Sequence, residues 1–97
     1  MKNILLTVSY DGTNFCGWQR QDNTRTVQGE IEKVLEKIHK QKTDAQGSGR
    51  TDSGVHAVGQ TVTFISPIDN MKPESYIPAM NSLLPQDIRV VGAKEVP

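Results

Sequence analysis

The sequence predicts an α+β domain of the ferredoxin-like kind: strand, helix, strand, strand, helix, strand, folded as a four-stranded antiparallel sheet with two helices on one face. Three observations carry that prediction. Residues 3–10 and 57–66 place their apolar residues in the alternating pattern of half-buried strands. Residues 27–41 repeat theirs at helical spacing. Asp11-Gly12, Pro67 and Pro85 fall at the ends of periodic segments, where chain breakers belong.

In order, Ile4, Leu6, Val8 and Tyr10 share one side of the first strand, and Leu5, Thr7 and Ser9 the other. Residues 11–25 form a polar loop with Phe15 and Trp18 embedded in it. Thr26 is placed to cap the helix that follows, since its hydroxyl can accept an orphan amide proton of the first turn. Val27, Ile31, Val34, Leu35 and Ile38 make the buried stripe of that helix, and Glu30, Lys33, Glu36, Lys37 and Lys40 the solvated side. A weak, short strand is expected near 43–48. The strand at 57–66 puts Val58, Val62 and Phe64 on one face and Ile65 on the other. A second helix falls within 73–84 through Ile77, Met80 and Leu84, its start obscured by Pro78. Residues 87–96 alternate as the last strand.

Composition narrows the function classes. A chain of 97 residues fits one domain, and 35% hydrophobic with 23% charged residues suits a soluble globular protein. Lys plus Arg and Asp plus Glu number 11 each, so no basic excess advertises a nucleic-acid partner. Any RNA contact must come from local clusters of positive charge. Cys16 is the single cysteine, which excludes an intrachain disulfide and a CxxC metal site and suits a reducing compartment. The apolar run Ile4-Leu5-Leu6 is too short for a signal-peptide core, so no membrane association is expected and the expected location is the cytoplasm.

Chemistry concentrates in Gly47-Ser48-Gly49-Arg50-Thr51-Asp52-Ser53-Gly54-Val55-His56. Gly49 and Gly54 have the spacing of a P-loop, but Val55 stands where lysine is required. A dinucleotide fingerprint fails as well, because position 52 is Asp and a strand follows, not a helix. What remains is a carboxylate and a guanidinium two residues apart in a glycine-bracketed loop between two strands. Glycines there permit tight turns and close approach of a bulky ligand. Spacing alone favours the plainer reading, in which Asp52 caps backbone amides of its own turn.

The motif as a whole points elsewhere. Gly49-Arg50-Thr51-Asp52-Ser53-Gly54-Val55-His56-Ala57 resembles the GRTDxGVHA motif of the TruA-type tRNA pseudouridine synthases. Tyr10 to Gln21 is similar to the opening YDGxxFxGWQxQ of that family. Thr26-Val27-Gln28-Gly29-Glu30-Ile31-Glu32 resembles its helix start, and Asn81 with Leu84-Pro85-Gln86-Asp87-Ile88 its NxLLPxDI segment. These four blocks stand in the family's order over nearly the whole chain. Ser48 and Ser53 replace alanines common there, and neither change touches the charged pair.

The resemblance implies an isomerase that turns uridine into pseudouridine at positions 38, 39 and 40 of the tRNA anticodon arm, with no metal and no organic cofactor. It implies Asp52 as the catalytic carboxylate, attacking C1′ of the sugar, adding to C6 of the base, or taking a sugar proton. It likewise implies that Arg50 pairs with that carboxylate, keeping it ionised and aimed. It also implies a second, similar domain absent from these residues, a homodimer in the full-length enzyme, and little or no turnover by residues 1–97 alone.

Arg20 and Arg25 flank the long polar loop and are the best candidates for phosphate contacts, against a reading as solvated arginines. Trp18 is a candidate for stacking on a base, although large aromatics such as Trp18 and Phe15 more often pin a loop to the core. His56 suits a structural hydrogen bond better than general-base work, and His39 reads as a surface residue. Neither histidine has a partner at metal spacing. The rival functions are a non-catalytic ferredoxin-like RNA-binding module and a small anion-binding domain. Residues 58–64 do not carry the aromatic pattern of the former's base-stacking strand.

Overall fold

The computed structural model describes residues 1–11, 26–47 and 57–97. Its elements are β1 (Lys2–Tyr10), α1 (Val27–His39), β2 (Gln46–Gly47), β3 (Ala57–Ser66), a 3₁₀ turn (Pro73–Ser75) running into α2 (Tyr76–Asn81), and β4 (Ile88–Val96). The sheet order is β2-β3-β1-β4 with every neighbouring pair antiparallel. This is the ferredoxin-like arrangement that the element order predicts.

Alternation in β1 sets the layering. Ile4, Leu6, Val8 and Tyr10 are buried and join Val27, Ile31, Val34 and Leu35 of α1 and Tyr76 and Met80 of α2 in one core. Opposite β1, the inward residues are Phe64 and Val62 from β3 and Val90 and Ile88 from β4. Both ladders slip by one residue near the same point of β1. Gly59 is the extra residue on the β3 side and Val91 on the β4 side. Bulges sharpen strand twist, so the end of the sheet at Tyr10 is bent by two of them.

In α1, Thr26 caps as expected: the Gly29 amide donates to Thr26 Oγ1 at 3.2 Å. The helix ends at His39, two residues earlier than predicted, because Lys40 adopts the left-handed conformation (φ 59°) that closes it. The expected strand near 43–48 shortens to Gln46–Gly47. The second helix splits into the 3₁₀ turn and α2. Pro78 is tolerated because it is the third residue of α2, in the first turn, where an amide has no partner within the helix. Met80 and Leu84 are buried as predicted, but Tyr76 leads that face, with Ile77 only half-buried.

His39 is a correction. It is not a surface residue: its ring is buried between Phe64 and Tyr76, with centroids 5.7 Å from each. Nδ1 lies 2.7 Å from Thr43 Oγ1 and Nε2 lies 2.8 Å from the Tyr76 hydroxyl, which is 2.6 Å from Ser66 Oγ. Each ring nitrogen of a neutral His39 thus has a hydroxyl partner, and Ser66 Oγ also donates to the Ile68 carbonyl and accepts from the Ile68 amide. A second proton would make both ring nitrogens donors and force whichever hydroxyl donates to the neutral ring to turn round.

Burial accordingly holds the His39 pKa below its ordinary value of 6.5. The unfolded chain then binds a proton that the folded ring resists. The stability owed to the neutral ring is complete above about pH 6.5 and is lost as pH falls from there through the folded pKa. An NMR titration of the His39 ring should give a midpoint below that of the unfolded chain. A midpoint at or above it would contradict this account.

The last turn of α1 belongs to a longer pattern. Gln28, Glu32, Leu35 and His39 recur at helical spacing along one side of the helix, and three of the four are polar. Glu32 Oε2 accepts the Ala45 amide at 2.9 Å, and Gln28 Nε2 donates to the Ala45 carbonyl at 2.8 Å. With His39 on Thr43, this polar stripe holds residues 43–45 antiparallel to α1. Among the described residues no buried side-chain nitrogen or oxygen lacks a partner.

Candidate active site

Three strands reach one end of the sheet together. Tyr10, the last residue of β1, stands opposite Ala57 at the start of β3 and Ile88 at the start of β4. The Asp11 amide continues the tie by donating to the Asp87 carbonyl at 2.9 Å. His39, at the far end of α1, meets Phe64 and Tyr76 toward the Lys2–Ser66 end, so the capped N-terminus of α1 lies toward Tyr10.

This end is built rigidly. The Ile88 amide closes a turn on the Pro85 carbonyl at 3.1 Å, and the Arg89 guanidinium lies over that turn, its Nη1 donating to Pro85 (3.2 Å) and Ile88 (3.0 Å) carbonyls. Asn81 clamps Val90 with both halves of its amide: Nδ2 donates to the Val90 carbonyl at 3.0 Å and Oδ1 accepts the Val90 amide at 2.8 Å. Among the described strands β4 lies at the edge of the sheet, so this side chain supplies ladder bonds that none of them makes on that side. The sequence offered Asn81 only as part of a motif; its work is to hold β4.

The residues on which the chemistry was expected, Asp52 and Arg50, and those expected at RNA, Trp18, Arg20 and Arg25, lie outside the described residues, as do Phe15, Cys16 and His56. Their flanks are described. Asp11 and Thr26 bound segment 12–25, and Gly47 and Ala57 bound segment 48–56. Gly47 pairs with Val62, within β3, whereas Ala57 pairs with Tyr10 at the sheet end. Both segments therefore have a flank at the Tyr10 end.

Elsewhere, a recess of about 410 Å³ opens between Asn3, Gln46, Thr63, Ile65 and Val96, toward the opposite end of the sheet. It holds one acidic side chain, Asp44, and no acid–base pair. Among the described residues no three His, Cys, Asp or Glu converge as metal ligands, and no helix is long and apolar enough to cross a membrane.

Known proteins resemble this chain in sequence. A family model described as tRNA pseudouridine synthase matches residues 6–97, from within β1 to beyond β4. The chain is 60% identical over 100 residues to tRNA pseudouridine synthase A of Treponema denticola, covering 98% of this chain and 37% of that protein. It is 53% identical over 96 residues to the protein of the same name from Thermosipho melanesiensis (99% and 39%). For that of Thermotoga maritima the figures are 50% over 97 residues (100% and 40%). The chain thus spans about two fifths of the length of these curated relatives. A match that extends from residue 6 to residue 97, across the sheet, the capped helix and the segment between β2 and β3, leaves one assignment: this chain belongs to the tRNA pseudouridine synthase family.

Proposed function

We infer that residues 1–97 are the N-terminal catalytic domain of a longer enzyme that isomerises uridine to pseudouridine in the anticodon arm of tRNA, at positions 38, 39 and 40. The observation that carries this reading is the family match over 6–97, which includes the whole of Gly49 to Ala57. Asp52 is the reacting carboxylate. It must be ionised and close to the nucleoside, because a positioned group gains its power from proximity and orientation, worth effective concentrations of roughly 10⁵ M or more. Arg50 holds it charged through an opposite charge at hydrogen-bond range.

In the reaction the N-glycosidic bond breaks, the uracil turns within the site, and its C5 bonds to C1′ of the ribose. The target nucleotide must first leave its stack, at a cost of a few kcal/mol. Arg20 and Arg25 meet backbone phosphate, which positions the RNA without reading its sequence. Trp18 supplies an aromatic face for an unstacked base, worth about 1–3 kcal/mol. A second domain and a dimer partner complete the cleft, so residues 1–97 by themselves do not turn over.

The test is to incubate the full-length protein with an unmodified tRNA transcript and map pseudouridine along it. Product at positions 38 to 40, and no multiple turnover by residues 1–97 alone, is the expected result. Pseudouridine confined to another arm would refute the substrate assignment.

A further inference from the structure

We propose that Gln28 and Glu32 of α1 are positioning residues for the reaction, acting through the backbone of Ala45 to fix where the segment carrying Asp52 leaves the fold. This rests on the reading of Asp52 given above.

The strand that leads into that segment is poorly secured by its own ladder. β2 has two residues, paired with β3 at Gln46–Thr63 and Gly47–Val62 only. It lies at the edge of the sheet, with no strand beyond it among the described residues. Two residues of edge pairing give a weakly specified register, and a slip by one would turn every following side chain to the opposite face.

What fixes the chain is one step earlier. Ala45 is fully buried, and both of its backbone polar groups are taken by side chains four residues apart on α1: the amide by Glu32 Oε2 at 2.9 Å, the carbonyl by Gln28 Nε2 at 2.8 Å. Side chains at that spacing project from the same face of a helix. Together they read one residue's donor and acceptor as a neighbouring strand would. Glu32 is itself buried, which limits its freedom to move. The same two turns of helix begin at the Thr26 cap, which ends segment 12–25. One rigid element therefore sets an end of each segment on which reacting and RNA-contacting residues are expected.

A positioning role makes a different prediction from a stabilising one. A shift of about 1 Å in a reacting group can cost about 100-fold in rate without touching the contacts that bind substrate. In the full-length protein, Glu32→Ala should lower kcat for pseudouridine formation by about 30-fold or more, with KM for tRNA changing by less than about threefold. Glu32→Gln, which keeps an acceptor for the Ala45 amide, should recover kcat to within about threefold of the parent. Hydrogen exchange should quicken at the Ala45 and Gln46 amides in Glu32→Ala and not in Glu32→Gln. Gln28→Ala, which leaves only the carbonyl unmet, carries the same expectation if Glu32→Ala does not fold. Parent-like kcat in a folded variant with faster exchange at Ala45 would overturn the proposal, as would a loss confined to KM or a Glu32→Gln that fails to recover. Asp52→Asn measured alongside separates the two ideas. If it is inactive while Glu32→Ala turns over normally, the positioning role alone is wrong; if it remains active, the underlying reading has failed.

Discussion

Asp52→Asn in the full-length protein should reduce pseudouridine formation by at least about 1,000-fold while tRNA affinity stays within a few-fold of the parent. The substitution keeps the shape of the side chain and removes its charge and its capacity as nucleophile or base. Whichever route the reaction takes, C1′ attack, C6 addition or sugar deprotonation, the first step needs an electron pair that an amide does not offer. Affinity for tRNA draws chiefly on phosphate contacts, which this change leaves in place. The comparison requires single-turnover mapping of product together with a direct binding measurement. Residual activity within tenfold of the parent would remove Asp52 from the centre of the mechanism.

The largest effect on stability should come from Tyr76→Ala, at about 3–5 kcal/mol. Tyr76 is fully buried and stands edge-on to Phe64, with centroids 5.1 Å apart at 71°, and to His39 at 82°. Its hydroxyl joins His39 Nε2 to Ser66 Oγ. Truncation therefore opens a cavity and removes the partner of the buried His39 Nε2, while Ser66 Oγ keeps its bonds to Ile68. Against a typical domain stability of about 5–15 kcal/mol, that loss approaches the threshold of unfolding. Tyr76→Phe separates the two contributions, since it keeps the ring and removes the link, at about 1–3 kcal/mol. Urea denaturation with a common m-value gives both numbers. Equal costs for the two variants would show that the ring packing contributes little.

Much of the fold is readable from apolar periodicity. The alternation of Ile4, Leu6, Val8 and Tyr10 and the stripe from Val27 to Leu35 found β1 and α1, because in both the buried face is hydrocarbon. The same reasoning failed on the second buried side of α1. Gln28, Glu32 and His39 recur at helical spacing too, but hydropathy ranks them with the surface. Their partners, Ala45, Thr43 and Tyr76, come from elsewhere in the chain, so nothing local marks them as internal. Tyr76 escapes hydropathy for a related reason: its polar tip ranks it below Ile77, Met80 and Leu84, although the fold buries it completely. The candidate site rests on a different kind of signal, and its residues lie outside the described ones. Spacing between Arg50 and Asp52 left a plain turn as the favoured reading, and only the extended match of four blocks displaced it.

The central place of β1 also bears on how the molecule is made. β1 leaves the ribosome before the other described strands, yet both of its hydrogen-bonding edges are met by strands from far along the chain, Ala57–Ser66 on one side and Ile88–Val96 on the other. Until the last of these has been synthesised, one rim of the N-terminal strand has only water to bond, with Ile4, Leu6 and Val8 beside it in want of cover. Distant pairings close slowly, and open rims invite other chains. This domain is thus most vulnerable to aggregation just before β4 arrives, and the first of its described strands to be synthesised is completed only then.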